Sequence, residues 1–402
     1  MTSSKADDND SYDDCMSPAP FGVKGRQLTG ELSFNSTIDT LGNTALKAAA
    51  GSIFRFHSFA DEEPMETVQL GRTGPTVGIL GLGCMGMSPG VYGPADEAES
   101  VATIRAAIDA GVTLIDTGDF YGMGHNELLI RRALEGIPRS RVVISVKFGA
   151  LRDPAGAFGG NDGRPQAVKN FLAYSLRRLG TDYIDIYRPA RLDPAVPIED
   201  TVGGIADMIR AGYVRHIGLS EVGEQTIRRA QAVHPVVDLQ IEYSLMSRGI
   251  ETAILPTTRQ LGIGITAYGV LSRGILSGRV PSATNKGDLR IVRMPRYQRG
   301  NVEQNLKLVE ALRQIGKEKN ATPAQLALAW VRSRGADIVP VLGARRREQL
   351  NEVLAALDLK LDAADLARID VAVTPDLTAG TRYDAPQMAH LDSETGAQHA
   401  ST

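Results

Sequence analysis

Eight short runs of β-branched and apolar residues alternate with longer helical patterns between residues 77 and 343. The runs occupy 77–83, 113–117, 142–148, 184–188, 214–220, 237–243, 262–269 and 337–343. Several of the helical patterns end in a glycine, which suits the left-handed conformation that often follows a helix. Because a helix is the usual connection between neighbouring parallel strands, this alternation predicts a parallel sheet covered by helices.

The first run decides between a closed barrel and a doubly wound sheet. Gly81, Gly83 and Gly86 match the spacing of a dinucleotide-binding loop. That loop requires a helix to start directly after it, so that the helix N-terminus meets a phosphate. Here the segment SPGVYGPADEAES delays the helix. We therefore predict one (β/α)8 TIM barrel over residues 65–373, with a short N-terminal β-hairpin in METVQLGRTG.

The two ends of the chain have a different composition. Residues 1–64 hold ten acids and five bases, with no sustained period of 2 or 3.6, and we predict a low-order N-terminal extension. A translation start at Met65 is an alternative. Residues 374–402 are polar, and we expect a loosely packed C-terminal tail that crosses one face of the barrel.

Charge and composition exclude several kinds of partner. Residues 65–402 have a net charge of +2, which argues against a nucleic-acid surface. No apolar run reaches the ~20 residues of a membrane span, and the two cysteines and six histidines do not form a metal-binding pattern. The acidic start is unlike a secretory signal, so we expect a cytoplasmic protein without a metal.

Ionisable residues follow the second and third strands of the predicted barrel. Asp116 and Lys147 each come after apolar strand residues, and Tyr121 lies in the loop after Asp116. Active sites of these barrels lie at the carboxyl ends of the strands, where such a carboxylate and ammonium can pair. An ammonium beside a phenol favours its ionised form, so we expect a lowered pKa for Tyr121. An ion pair that only stabilises the barrel, with a surface tyrosine beside it, is an equal alternative.

The segment LIDTGDFYGMGHNELL, followed by SVKFG, resembles the aldo-keto reductase family. Later blocks resemble it too: GYVRHIGLSEVGEQTIRRA, DLQIEYSLMSRGIE, GITAYGVLSRGILSG and VPVLGARRREQLNEVLAAL. The branch most resembled is bacterial and opens its barrel with an LGLGCMGMS-like strand. The resemblance implies NADPH-dependent reduction of aldehydes or activated ketones, small-molecule carbonyl substrates. It makes Tyr121 the general acid, Lys147 the group that lowers its pKa, and Asp116 the group that holds Lys147.

The family's catalytic histidine falls on Ala190. An alanine cannot donate a hydrogen bond, and one acid–base group typically contributes about 10²- to 10⁴-fold. Either Tyr121 suffices alone, or Arg191, Arg188 or His125 replaces the histidine. The remaining alternative is an NADPH-binding redox sensor or regulatory subunit with slow or no turnover. Potassium-channel β subunits, which resemble this family and also lack the histidine, are a precedent for it.

The resemblance also assigns an NADPH site to strands five to eight. Ser220 and Gln240 are expected at the nicotinamide carboxamide and Tyr268 under its ring, although Glu221 stands where the family usually has asparagine. The full set is Ser220, Gln240, Tyr268, Leu271, Ser272, Arg273, Gly274, Gly343, Arg345, Gln349 and Glu352. The arginines at 345–347 suit a 2′-phosphate. We expect the substrate pocket to include Tyr92, Phe120, Phe148 and residues after Thr374. The sequence names neither the substrate nor the oligomeric state.

Overall fold

The computed structural model describes residues 65–90, 92–282 and 287–395, so the predicted extension over 1–64 lies outside the described residues. The first elements are strands β1 (Thr67–Gln69) and β2 (Thr76–Gly78), which pair antiparallel. The Arg72 N–H donates to the Gly262 carbonyl at 2.7 Å. The hairpin therefore packs at the amino-terminal ends of the later strands. The predicted hairpin is confirmed, but its second strand lies beyond METVQLGRTG, at the start of the run predicted as the first barrel strand.

Eight parallel strands close into a barrel, which confirms the predicted fold and makes the doubly wound alternative wrong. In chain order they are β3 (Gly81–Gly83), β4 (Leu114–Gly118), β5 (Val143–Phe148), β8 (Ile184–Pro189), β9 (Val214–Ser220), β10 (Val236–Glu242), β11 (Gly264–Tyr268) and β12 (Ile338–Leu342). A second antiparallel hairpin, β6 (Ala150–Arg152) and β7 (Phe158–Asn161), follows β5.

Helices cover the outside of the barrel and continue into the tail. They are α1 (Glu97–Asp109), α2 (His125–Ala133), α3 (Pro165–Leu179), α4 (Ile198–Arg210), α5 (Glu224–Val233), α6 (Ile254–Leu261), α7 (Leu289–Arg293), α8 (Asn301–Lys319), α9 (Pro323–Ser333), α10 (Arg347–Leu354), α11 (Ala363–Ala372), α12 (Ala385–Ala389) and α13 (Asp392–Thr395). In the part of the chain that the structure describes, no helix is long and apolar enough to cross a membrane.

Apolar spacing decides which helix face meets the barrel. In α4, Ile198, Val202 and Ile205 are buried, and a spacing of four and three residues places them on one side of a helix. Gly180 and Gly262 end α3 and α6 with φ of 65° and 72°, as the sequence predicts.

A polar layer lies inside the barrel just below the carboxyl ends of the strands. The fully buried Arg188 donates to Asp238 Oδ2 at 2.8 Å and to Ser145 Oγ at 2.9 Å. A buried charge without a partner is costly, so the pairing with Asp238 is what allows an arginine at this depth. The barrel interior therefore offers hydrogen bonds to side chains at its mouth.

The expectation of a loosely packed tail is wrong for the segment around α12 and α13. Arg382 and Leu391 are buried, and the Gly223 N–H donates to Asp392 Oδ2 at 2.8 Å. The tail crosses the carboxyl face of the barrel, as expected, and is held there by charge pairs described below.

Candidate active site

Asp116 and Lys147 meet at the carboxyl ends of the neighbouring strands β4 and β5. The register of these strands places Asp116 opposite Ser145 and Gly118 opposite Lys147. Lys147 Nζ forms an ion pair with Asp116 Oδ1, and both side chains are buried. Asp116 Oδ2 accepts from Ser145 Oγ at 2.9 Å and from Gln240 Nε2 at 2.8 Å. These donors offset the cost of burying the carboxylate.

Tyr121 lies beside this pair, in the turn Tyr121–Gly124 that follows β4. Its ring centroid is 5.4 Å from Lys147 Nζ and 4.8 Å from the ring of Phe120. Burial raises the pKa of Tyr121 well above its ordinary value of 10, and the negative charge of Asp116 adds to the rise. The expected lowering is wrong, because burial of the phenol and the charge of Asp116 outweigh the opposing charge of Arg191. Tyr121 therefore stays protonated and can donate a proton.

A cavity of about 410 Å³ extends from Asp116 and Tyr121 to the start of α10. Nine of the predicted cofactor residues line it: Gln240, Tyr268, Leu271, Arg273, Gly274, Gly343, Arg345, Gln349 and Glu352. The other two have different contacts. Ser220 Oγ accepts from Arg191 at 3.5 Å, and Ser272 Oγ accepts from Arg296 at 3.0 Å.

Arg273 lines this cavity and has two nitrogens without hydrogen-bond partners among the described residues. It has φ 57° and is followed by Gly274 with φ 111°, so a left-handed turn carries its side chain. Its Nε and Nη2 are buried and have no hydrogen-bond partner among the described residues, since Glu242 Oε2 is 3.9 Å away. Leaving a buried donor unpaired costs about 1–3 kcal/mol. An anion such as a pyrophosphate would satisfy these donors, so the residues present fit a dinucleotide.

The arginines at the start of α10 differ in what they contact. Arg345 donates to the carbonyl of Tyr92 at 3.0 Å, and Arg347 pairs with Glu99 at 2.9 Å. Arg346 lines the cavity and makes no side-chain hydrogen bond or ion pair with another described residue. Of these three arginines, Arg346 is therefore the one with neither a side-chain hydrogen bond nor an ion pair among the described residues, and the sequence did not separate it from its neighbours.

Ala190 occupies the position after β8 where a histidine was expected, and its N–H donates to the Phe148 carbonyl at 2.8 Å. Arg188 is held inside the barrel, and His125 contacts Ser88 Oγ and Glu97 Oε1, each at 2.9 Å, at the start of α2. Of the three suggested replacements, Arg191 is the one whose charge acts on Tyr121, where it lowers the pKa.

The tail contributes residues that the sequence analysis missed. Tyr268 Oη donates to Glu221 Oε1 at 2.6 Å, and Arg382 binds both oxygens of Glu221 at 2.9 and 2.6 Å. Burial opposes ionisation of Glu221, but Arg382 outweighs it and lowers the pKa to about 2. Tyr383 Oη lies 2.9 Å from Tyr268 Oη. The only sequence signal that could have indicated these two residues was that Arg382 and Tyr383 stand together in a tail of mostly small polar residues.

Phe148 does not belong to the pocket, contrary to the expectation. It is fully buried and stacks on Tyr187 with ring centroids 4.2 Å apart. Tyr92 does line the cavity. Within the described ranges, no group of three or more His, Cys, Asp or Glu side chains is arranged to hold a metal ion.

Comparison with known proteins gives matches over this same region. Residues 79–373 match the model of the Aldo/keto reductase family. The chain is 40% identical over 321 residues to a probable aldo-keto reductase 1 of Glycine max, covering 79% of this chain and 92% of that protein. A glycerol dehydrogenase from Gluconobacter oxydans superposes with a TM-score of 0.69 at 27% identity, covering 77% of this chain and 96% of that one. An aldo-keto reductase from Bacillus halodurans, solved in its holo form, gives a TM-score of 0.65 at 25% identity, covering 77% and 97%.

Proposed function

This chain belongs to the aldo/keto reductase family, and from that premise we propose that it is an NADPH-dependent reductase of aldehydes or activated ketones. The observation that supports the proposal is the continuous cavity between the half-buried Tyr121 and the unpaired cation Arg346. When bound, NADPH supplies the hydride that reduces the carbonyl carbon and is oxidised to NADP⁺.

Tyr121 gives its proton to the carbonyl oxygen as the carbon is reduced, so the product is an alcohol. Burial holds the phenol in its protonated form before the step. Lys147 Nζ, 5.4 Å from the ring centroid, stabilises the phenolate that remains afterwards. Asp116 fixes the position of Lys147 through their buried ion pair. Solvent then returns a proton to Tyr121.

The remaining polar groups have roles in holding the dinucleotide. Gln240 Nε2 donates to Asp116 Oδ2, so Gln240 Oε1 remains to accept a hydrogen bond from a carboxamide. Ser220 remains a candidate to bind the same carboxamide. The ring of Tyr268 remains a candidate to stack on the face of the nicotinamide. Arg273 would bind the pyrophosphate, and Arg346 at the start of α10 would bind the 2′-phosphate that distinguishes NADPH from NADH.

The test is the oxidation of NADPH by the purified protein with a panel of aldehydes and α-dicarbonyls, run beside Tyr121→Phe. We expect Tyr121→Phe to lose at least about 10²-fold in kcat. NADPH binding, followed by fluorescence, should be retained because the phenol does not hold the dinucleotide. A wild-type protein that binds NADPH but oxidises it no faster than Tyr121→Phe would rule out the reductase.

Ala190 favours a second candidate, a redox sensor that binds NADPH without fast turnover. The same assay separates the two functions. The sensor requires tight NADPH binding together with a single-turnover rate that does not depend on Tyr121. A single-turnover rate that falls in Tyr121→Phe excludes it.

A further inference from the structure

We propose that Arg191 donates the hydrogen bond that polarises the substrate carbonyl oxygen, in place of the side chain that Ala190 lacks. We further propose that Tyr383 of the tail is a positioning residue that orients Arg191. Both statements rest on the reductase function proposed above.

Arg191 stands directly beside the position of the missing donor. It follows Ala190 in the chain, after the carboxyl end of β8, and Nη1 donates to the Ala190 carbonyl at 2.6 Å. Its positive charge lowers the pKa of Tyr121, so the guanidinium lies within electrostatic range of the phenol. Its Nη2 also contacts Tyr383 Oη, which lies 2.9 Å from Oη of the cavity residue Tyr268. Arg191 is therefore placed at the edge of the cavity that Tyr121 lines, where a carbonyl oxygen that receives the Tyr121 proton would bind.

The guanidinium has hydrogen-bond donors to spare. Nη1 also reaches Ser220 Oγ at 3.5 Å, and Nη2 donates to Tyr383 Oη at 3.2 Å. A guanidinium has five N–H donors, so these contacts with neutral acceptors do not use all of them. The same contacts fix the plane of the group, which a catalytic donor requires.

Arg191, which is half-buried, also differs from the buried Arg188 and Arg382 in its charge balance. Arg188 is paired with Asp238 and Arg382 with Glu221. In the described part of the chain, no carboxylate oxygen lies within the 4.0 Å ion-pair distance of Arg191. Its charge is therefore available for the negative charge that develops on a carbonyl oxygen during hydride transfer, and such donors are effective because they are preorganised.

Tyr383 holds Arg191 from the side of the tail. Its hydroxyl accepts from Arg191 and lies 2.9 Å from Tyr268 Oη, while its ring centroid is 5.8 Å from the Arg191 guanidinium carbon. The neighbouring Arg382 fixes this part of the tail through Glu221. The tail therefore sets the orientation of a group at the barrel mouth without itself taking part in proton transfer.

Kinetics of four variants test the proposal. Arg191→Met should lower kcat by about 10²- to 10³-fold, the loss typical of one oxyanion donor, with the NADPH Kd within threefold of wild type. Arg191→Lys should keep part of the rate, because it keeps the charge. Tyr383→Phe should lower kcat about tenfold through misorientation. Adding Ala190→His to Arg191→Met should return at least about tenfold, because a donor is supplied again at the same place.

A matched control removes an arginine at the other end of the barrel. Arg215 lies near the start of β9, with its guanidinium carbon 4.5 Å from the ring centroid of Tyr183. Arg215→Met should leave kcat unchanged, and circular dichroism should show that all variants fold. An Arg191→Met protein whose kcat stays within threefold of wild type overturns the proposal.

A second readout does not depend on turnover. Benzoate is an aromatic carboxylate whose anionic oxygen can occupy the place of the carbonyl oxygen. Calorimetry measures its binding to each variant loaded with NADP⁺. We expect the benzoate Kd to rise at least tenfold in Arg191→Met and to stay unchanged in Arg215→Met. If wild type shows no turnover but benzoate binding requires Arg191, the reductase proposal fails and the oxyanion site stands. The Arg191 proposal is overturned if wild type does not bind benzoate, or if Arg191→Met and Arg215→Met bind it equally well. This holds even where Tyr121-dependent reduction is intact.

Discussion

Asp119 is a buried carboxyl group directly after β4, and its replacement by asparagine should change how stability depends on pH. Asp119 is 7% exposed, and neither carboxylate oxygen makes a hydrogen bond among the described residues. Burial, followed by the negative charge of Glu127, raises its pKa to about 7. Arg178 and the nearby backbone N–H groups of Phe120 and Gly149 oppose the rise only in part.

The size and sign of the effect follow from this shift. The ordinary pKa of the group is 3.8, so between pH 3.8 and about 7 the folded protein holds a proton that the unfolded chain has released. The free energy of unfolding therefore falls as the pH rises through this window, by about 1.4 kcal/mol per unit. Between pH 5 and pH 8 the group costs about 3 kcal/mol of stability, and asparagine, which does not ionise, removes that loss.

Urea unfolding measures the effect, followed by the fluorescence of the single tryptophan, the buried Trp330. We expect the stability of Asp119→Asn relative to wild type to increase by about 3 kcal/mol from pH 5 to pH 8. The same substitution at the exposed Asp182 is the matched control. A difference for Asp119→Asn that is equal at both pH values, within about 0.5 kcal/mol, would refute the reasoning.

Three further outcomes follow from the charges at the site. Because burial holds the pKa of Tyr121 well above 10, kcat should not fall through Tyr121 ionisation below pH 10, and a Tyr121-dependent loss between pH 7 and 9 would contradict this. Arg346→Ala should raise the NADPH Kd about 10- to 100-fold and leave the NADH Kd unchanged, whereas Arg347→Ala, whose arginine is paired with Glu99, should alter neither. Arg382→Met leaves Glu221 buried without its partner and should lower the free energy of unfolding by about 3–5 kcal/mol, measured in urea; a loss below about 1 kcal/mol would mean that the pair does not hold the tail.

The sequence determined the barrel and the meeting of Asp116 with Lys147. Short apolar runs and the helical patterns between them are local signals, and the seven strands predicted over residues 113–343 are present within two residues of their expected bounds. The first run, 77–83, divides into the hairpin strand β2 and the barrel strand β3. Side chains at the carboxyl ends of neighbouring strands lie close together in a closed barrel, and this does not depend on the conformation of the loops. The position of Tyr121 beside this pair followed from its short distance along the chain.

The tertiary structure decided the properties that depend on burial and on contacts between distant parts of the chain. The direction of the Tyr121 pKa depends on desolvation, which no local pattern reveals. Arg345 differs from Arg346 because its side chain reaches the carbonyl of Tyr92, 253 residues earlier in the chain. Tyr383 enters the site because Arg382 finds Glu221 across the barrel mouth. A linear sequence encodes the spacing of neighbours directly, whereas such pairings exist only once the closed barrel has set which distant side chains share one desolvated space.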